Sequence, residues 1–226
     1  MKLNLVLADA ELELVPEMPD GAGEPGTRAP FQNIPVLDAY FHGNVICDLP
    51  ESDRRGRPDI LHKCLSLCQE SILNREGMLR AYVHTRNDQV ISLDSGTRIP
   101  PNYVEFLNEM GSLLMGHPVN GYNIASKTYS ELIREMNADE IIALTPLGEE
   151  YDLIELFESH SSATLAVTIG AFPEGDYTSP VYEMADIKVS LGPRLLTVPS
   201  VVCEILAAGR RSGVPASYPS TSLEKE

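Results

Sequence analysis

The sequence predicts an α/β protein, with a mostly parallel sheet buried between flanking helices. Two observations carry that prediction. Short β-type runs alternate with stretches of helical periodicity, the pattern of strands joined through helices into a parallel sheet. Glycine- and proline-rich loops follow the last two runs, where ligands of open α/β sheets are held.

Taken in order, Met1 to Ala8 reads as a short buried strand. Glu11-Leu12-Glu13-Leu14-Val15 fits either a helical turn or a second strand. Residues 16–35 carry Pro16, Pro19, Pro25, Pro30 and Pro35 with Gly21, Gly23 and Gly26, which makes a loop, expected to be mobile. From Pro58 to about Leu73 the apolar positions Ile60, Leu61, Cys64, Leu65, Cys68 and Ile72 follow helical spacing. Met78–Thr85 and Gln89–Leu93 form a candidate hairpin across Arg86-Asn87-Asp88. Residues 102–115 and 128–136 read as helices. The remainder alternates: a strand at 141–144, a helix at 151–159, strands at 164–169 and 187–191, and a helix at 198–208. The segment from Arg210 to Glu226, rich in Ser, Pro and Gly, reads as a disordered tail.

With 226 residues and 43% hydrophobic content the chain can bury a sizeable core. No apolar run approaches the roughly 18–20 residues of a membrane span, and the N-terminus has no export signal. The four cysteines make no disulfide framework. Cys64 and Cys68 suit the core as small hydrophobes, and no histidine or cysteine spacing suggests a metal site. A cytoplasmic, metal-free protein is the expectation. His84 lies on an apolar strand and reads as a core residue rather than a base.

Charge is uneven. The formal net charge is −16, yet residues 51–98 hold eight Lys and Arg against seven acids, whereas residues 131–186 hold 13 acids and only Arg134. Overall acidity argues against a nucleic-acid binder, but screening over about 8–10 Å lets a local basic patch act despite distant acids. The densest patch is Arg54-Arg55-Gly56-Arg57-Pro58-Asp59-Ile60, at the entrance of the first long helix. Guanidinium forks suit phosphate and anionic base edges. The alternative is that these arginines pair with neighbouring acids.

Ile169-Gly170-Ala171-Phe172-Pro173-Glu174-Gly175-Asp176 and Ser190-Leu191-Gly192-Pro193-Arg194-Leu195-Leu196-Thr197 follow the last two strands. Glycine there admits close backbone approach to a flat ring, although ordinary turns would look the same. Neither G-x-G-x-x-G nor G-K-[ST] occurs, so dinucleotide and triphosphate cradles are not indicated.

The arginine run, the stretch Tyr82-Val83-His84-Thr85-Arg86-Asn87-Asp88 through Thr97-Arg98-Ile99-Pro100, and the loop from Ile169 to Gly175 together resemble the Emg/Nep family of the SPOUT superfamily. These are ribosome-biogenesis pseudouridine N1-methyltransferases. The similarity runs from Lys2 to about Ala208, and the short chain is similar to archaeal members. The resemblance implies S-adenosylmethionine-dependent methylation of a pseudouridine in small-subunit ribosomal RNA, a homodimer and a C-terminal trefoil knot. It implies one domain over 1–209, with a mobile loop at 17–35 and a family-specific insertion at 36–127 bearing the RNA patch. Gly170, Gly175, Leu191, Gly192, Pro193, Arg194, Leu195 and Leu196, with Thr145, match cofactor positions. Arg57 and Asp59 match catalytic positions, and Arg57 and Arg98 match RNA-binding ones.

The implied chemistry removes the N1 proton of pseudouridine while the base attacks a methyl group already activated by sulfonium charge. Arg57 and Arg98 are expected to contact RNA and steady the anionic base. Asp59 is expected either to take the proton or to orient an arginine. The chain departs from the family pattern after Pro100: Pro101 replaces an arginine, and Glu105 stands where a basic residue is common. RNA affinity is therefore expected to be lower, or borne by Arg54, Arg55 and Arg86 instead. A non-catalytic RNA-binding assembly factor and a metabolic α/β enzyme with an acidic surface remain the alternatives.

Overall fold

A computed structural model describes residues 1–16, 34–161 and 163–213. The elements are β1 (Lys2–Ala10), α1 (Gly43–Ile46), α2 (Pro58–Glu70), α3 (Ile72–Arg75), β2 (Leu79–Thr85), β3 (Gln89–Leu93) and α4 (Tyr103–Leu114). They continue with β4 (Tyr122–Ser126), α5 (Tyr129–Met136), β5 (Glu140–Glu150), α6 (Leu153–Ser159), β6 (Thr164–Gly170), α7 (Val181–Met184), β7 (Ile187–Ser190) and α8 (Val198–Gly213).

The seven strands form one sheet in the order β4-β3-β2-β1-β6-β5-β7. Pairings β1–β2, β1–β6, β5–β6 and β5–β7 are parallel, and β2–β3 and β3–β4 are antiparallel. The expected mostly parallel, helix-flanked sheet is present. Strand β1 lies at its centre and is buried from Leu3 onward. Because successive side chains point to opposite faces, Leu3, Leu5 and Leu7 join the larger core with α2, α4, α6 and α8. Val6 and Ala8 join the second core, beneath Tyr129, Leu132 and Ile133 of α5 and Val181 of α7. Both faces are covered, so β1 reads as a nearly continuous apolar run.

Several boundaries differ from the sequence reading. Strand β4 is added at the sheet edge, and the short helices α1, α3 and α7 are new. Strand β5 runs on past Leu144, with a register break against β7 between Leu144 and Glu149 that lets Thr145 and Pro146 bulge out. Residues 11–15 resolve as extended chain: Leu14 bridges Val36 in antiparallel fashion, Val15 N–H donates to Pro35 O and Leu37 N–H to Glu13 O. Helix α8 continues through residues 210–213, which the sequence reading placed in the tail. Residues 17–33 of the expected loop and 214–226 of the tail lie outside the described residues.

Cys64 and Cys68 are buried on α2 as expected, and burial raises both thiols, Cys68 to about 12. His84 is buried, 3.1 Å from the Asp88 carboxylate through Nε2.

Candidate active site

Helix α2 begins where Pro58 occupies its first turn, and the preceding residue, Arg57, is its N-cap. From there Arg57 donates to Asp59 through both Nε (2.8 Å to Oδ1) and Nη2 (3.2 Å to Oδ2). Lys63, one turn on, donates to Asp59 Oδ2 at 3.0 Å. Burial works to raise the Asp59 carboxyl, but the Arg57 and Lys63 bonds outweigh it and leave it below the usual range. A carboxylate with both oxygens engaged and weakened basicity is a poor proton acceptor. Of the two roles expected for Asp59, the geometry favours orienting Arg57.

Asp38 and Tyr103 complete this corner. Tyr103 Oη donates to Asp38 Oδ2, while Asp38 Oδ1 accepts from Tyr40 N–H at 2.8 Å. Burial and the Asp38 bond push the phenol upward, which keeps it a neutral donor. His62 Nε2 donates to Pro100 O at 2.7 Å and its ring packs on Tyr103 and Phe106. That tether brings the Arg98–Pro100 segment to α2. Arg98 is exposed, without an ion pair or hydrogen bond among the described residues. Arg57 and Lys63 thus flank Asp59, and Arg98 lies exposed on the segment tethered to the same helix. Pro101 and Glu105 are exposed, and Glu105 sits in the first turn of α4.

Arg54, Arg55 and Arg86, expected to carry RNA contacts, are each engaged by acids of the chain. Arg54 Nε donates to Glu11 Oε1 at 2.6 Å, Arg86 Nη1 to Glu11 Oε2 at 2.7 Å, and Arg55 grips Glu13 through Nε and Nη2, both at 2.9 Å. Arg86 also reaches Glu51. Their side chains are only 10%, 16% and 15% exposed. The reason is Glu11 and Glu13, two buried carboxylates just past β1 whose charges require partners. The pairing alternative holds for these three and for Arg57, which is paired with Asp59, and not for Arg98.

On the other side of Arg54 lies a cleft of ≈ 210 Å³ outside the carboxyl ends of β5, β6 and β7, where open α/β sheets bind ligands. Its walls include Gly170, Gly175, Leu191, Gly192, Arg194, Leu195, Leu196 and Thr145, all from the expected set; Pro193 is in the same loop but outside the lining. Gly175 and Gly192 have φ of +88° and +114°, where other residues are strained, and a Cβ on Gly170 would come within 2.5 Å of the Phe172 ring. Thr145 Oγ1 and Tyr182 Oη share a hydrogen bond of 2.9 Å, and Tyr182 Oη donates to Asp176 Oδ1 at 2.6 Å. Leu195 is 82% exposed at the rim. Apolar walls, free loop backbone and the carboxylates of Glu174 and Asp176 suit a ligand combining a flat base with positive charge.

Below the cleft, Asp9, the next-to-last residue of β1, has φ +50° at a break in the β1–β2 register. Fully buried, it accepts from Thr178 N–H (2.8 Å), Ser179 N–H (3.1 Å) and Ser179 Oγ (2.5 Å). It thereby anchors the turn that carries Asp176 and Tyr177. Asp9, Asp38, Tyr103 and Tyr182 were not singled out from sequence, since their partners lie 37 to 170 residues away or belong to loops. Lys63 had a visible signal, its i+4 spacing from Asp59.

A profile of the EMG1/NEP1 methyltransferase family matches residues 5–209. The chain belongs to that family. The ribosomal RNA small subunit methyltransferase Nep1 of Thermococcus kodakarensis is 39% identical over 90% of this chain and 96% of its own. The Methanothrix thermoacetophila Nep1 is 36% identical over 96% of this chain and 100% of its own. Among solved structures, Archaeoglobus fulgidus Nep1 bound to S-adenosylhomocysteine has a TM-score of 0.79 at 28% identity, covering 94% of this chain and 99% of that one. EMG1/NEP1 membership agrees with the resemblance carried by the arginine run and the glycine loop.

Proposed function

We propose that this chain transfers a methyl group from S-adenosylmethionine to N1 of a pseudouridine in small-subunit ribosomal RNA. The observation that carries the reading is the meeting of two half-sites. The Arg57–Asp59 corner and the glycine-walled cleft sit on either side of Arg54, in a chain that matches a methyltransferase family over residues 5–209. The relatives named for small-subunit rRNA methylation, and the one bound to S-adenosylhomocysteine, support the substrate and the cofactor.

The cofactor fits the residues present: Leu144, Leu191 and Leu196 would offer apolar surface to its base, and Asp176 and Glu174 would complement its positive charge. When bound it supplies a methyl group on a positively charged sulfur, a leaving group that needs no further activation. The chain must then place a deprotonating base in line with it, a contribution of about 7–11 kcal/mol at most. Arg57, aimed by Asp59, steadies the negative charge that develops on the pyrimidine as N1–H is lost. Arg98 and Lys63 hold RNA phosphates alongside. The reading includes a cytoplasmic homodimer, a trefoil knot through the β5–β7 region, and residues 36–127 as the insertion bearing the RNA surface.

The test is methyl transfer from labelled S-adenosylmethionine to a stem-loop containing pseudouridine, beside its uridine counterpart. Transfer to the first alone is expected. RNA binding without transfer would favour the non-catalytic assembly factor.

A further inference from the structure

We infer that Arg54 is a positioning residue for the cofactor, acting through the loop at 172–176, rather than a contact for RNA. The inference rests on the cleft being the cofactor site. Four observations converge. Arg54 Nη1 donates to the backbone carbonyl of Asp176 at 2.6 Å. The guanidinium carbon stacks 3.9 Å from the centroid of the Phe172 ring. A Cβ on Gly175 would lie 3.3 Å from Nη1, so the loop is drawn down onto the guanidinium. On its far side Nε is fixed by the fully buried Glu11, whose second oxygen is held by Arg86.

Phe172, Gly175 and Asp176 are all part of the cleft wall. The guanidinium therefore braces that wall from behind, tying it to the end of the central strand. Its remaining nitrogen, Nη2, is buried without a hydrogen-bond partner among the described residues. The brace thus consists of one carboxylate, one carbonyl and one aromatic face, and none is redundant. A planar fork suits this place, because its face stacks on the ring while its edge donors reach acceptors on opposite sides, an arrangement the compact point charge of a lysine ammonium does not reproduce. Arg54 is also too enclosed to meet a phosphate, unlike Arg57 three residues on.

The test compares wild type with Arg54→Met and Arg54→Lys, reading S-adenosylhomocysteine affinity by calorimetry and stem-loop RNA affinity across a salt series. Methyl-transfer kinetics supply KM for each substrate. Arg54→Lys keeps the charge opposite Glu11 and carries the test if Arg54→Met does not fold. Both variants are expected to weaken S-adenosylhomocysteine by about tenfold or more, the effect of losing a charged hydrogen bond. KM for S-adenosylmethionine should rise, while RNA affinity and its salt slope stay within about twofold of wild type. Unchanged S-adenosylhomocysteine affinity, or a loss confined to RNA with a shallower salt slope, overturns the inference. Leu196→Asp, in the cleft lining but not part of the brace, separates the two layers. If it binds S-adenosylhomocysteine normally, the cleft assignment fails and this inference with it. If it loses binding while the Arg54 variants keep theirs, only the role of Arg54 falls.

Discussion

Replacing Asp9 by Asn isolates one buried charge with little change of shape, because Asn tolerates the left-handed backbone that Asp9 adopts. Burial alone would raise the Asp9 carboxyl, but interaction with His84 and the hydrogen bonds from Ser179 and Thr178 more than offset it, bringing it down from 3.8 to about 2. A carboxyl lowered on folding adds stability that is fully present above its unfolded value. That stability is lost as pH falls from about 4 toward 2. At about 1.36 kcal/mol per pH unit the contribution comes to about 2 kcal/mol near neutrality. The three hydrogen bonds to a charged acceptor give a similar figure, about 1.5–3 kcal/mol for the leading one. Denaturant unfolding of wild type and Asp9→Asn at pH 7 and pH 2 reads it directly. At pH 7 the variant should be less stable by about 2 kcal/mol, a fall in Tm of about 4–8 °C for a chain of this size. At pH 2 the gap should shrink to under about 1 kcal/mol. A gap of equal size at both pH values, or none at pH 7, would refute the reasoning that the charge on Asp9 holds the 178–179 turn.

Arg57→Gln should reduce methyl transfer by about 100-fold or more while leaving S-adenosylhomocysteine affinity intact, measured by single-turnover kinetics and calorimetry. Asp59→Asn, which leaves Arg57 unaimed, should retain measurable transfer; complete abolition with normal RNA binding would point to Asp59 as the base. RNA affinity should fall with salt at a log–log slope of about −0.7 to −0.9 per phosphate held, and Arg98→Ala should make that slope shallower by about one contact. Gly170→Val, which drives a side chain into the Phe172 ring, should weaken S-adenosylhomocysteine without altering RNA affinity, as calorimetry and gel shift would show.

What could be read from the chain followed from local physics. The nearly continuous apolar run from Leu3 to Ala8 and the helical spacing from Ile60 to Cys68 are contained in short windows, so β1 and α2 stand close to where expected. Glycines at positive φ after β6 and β7 signalled the cleft for the same reason. Strand β4 escaped because Tyr122-Asn123-Ile124-Ala125-Ser126 is a half-exposed edge with no strong apolar alternation. The fate of the arginines was illegible on other grounds. Arg54 has partners 43 and 122 residues away, and only the tertiary fold reveals that Glu11 is buried and must be neutralised. Charge counting could not separate Arg54 from Arg57, though one braces the interior and the other faces solvent.

The most direct measurement of the central claim is nucleoside mass spectrometry of small-subunit rRNA carrying pseudouridine, after incubation with the protein and S-adenosylmethionine. A single pseudouridine heavier by one methyl group, with the methyl on N1 and lost in the Arg57→Gln variant, is the predicted result. Unmodified RNA, or a methyl group on a uridine or a ribose, would contradict the account.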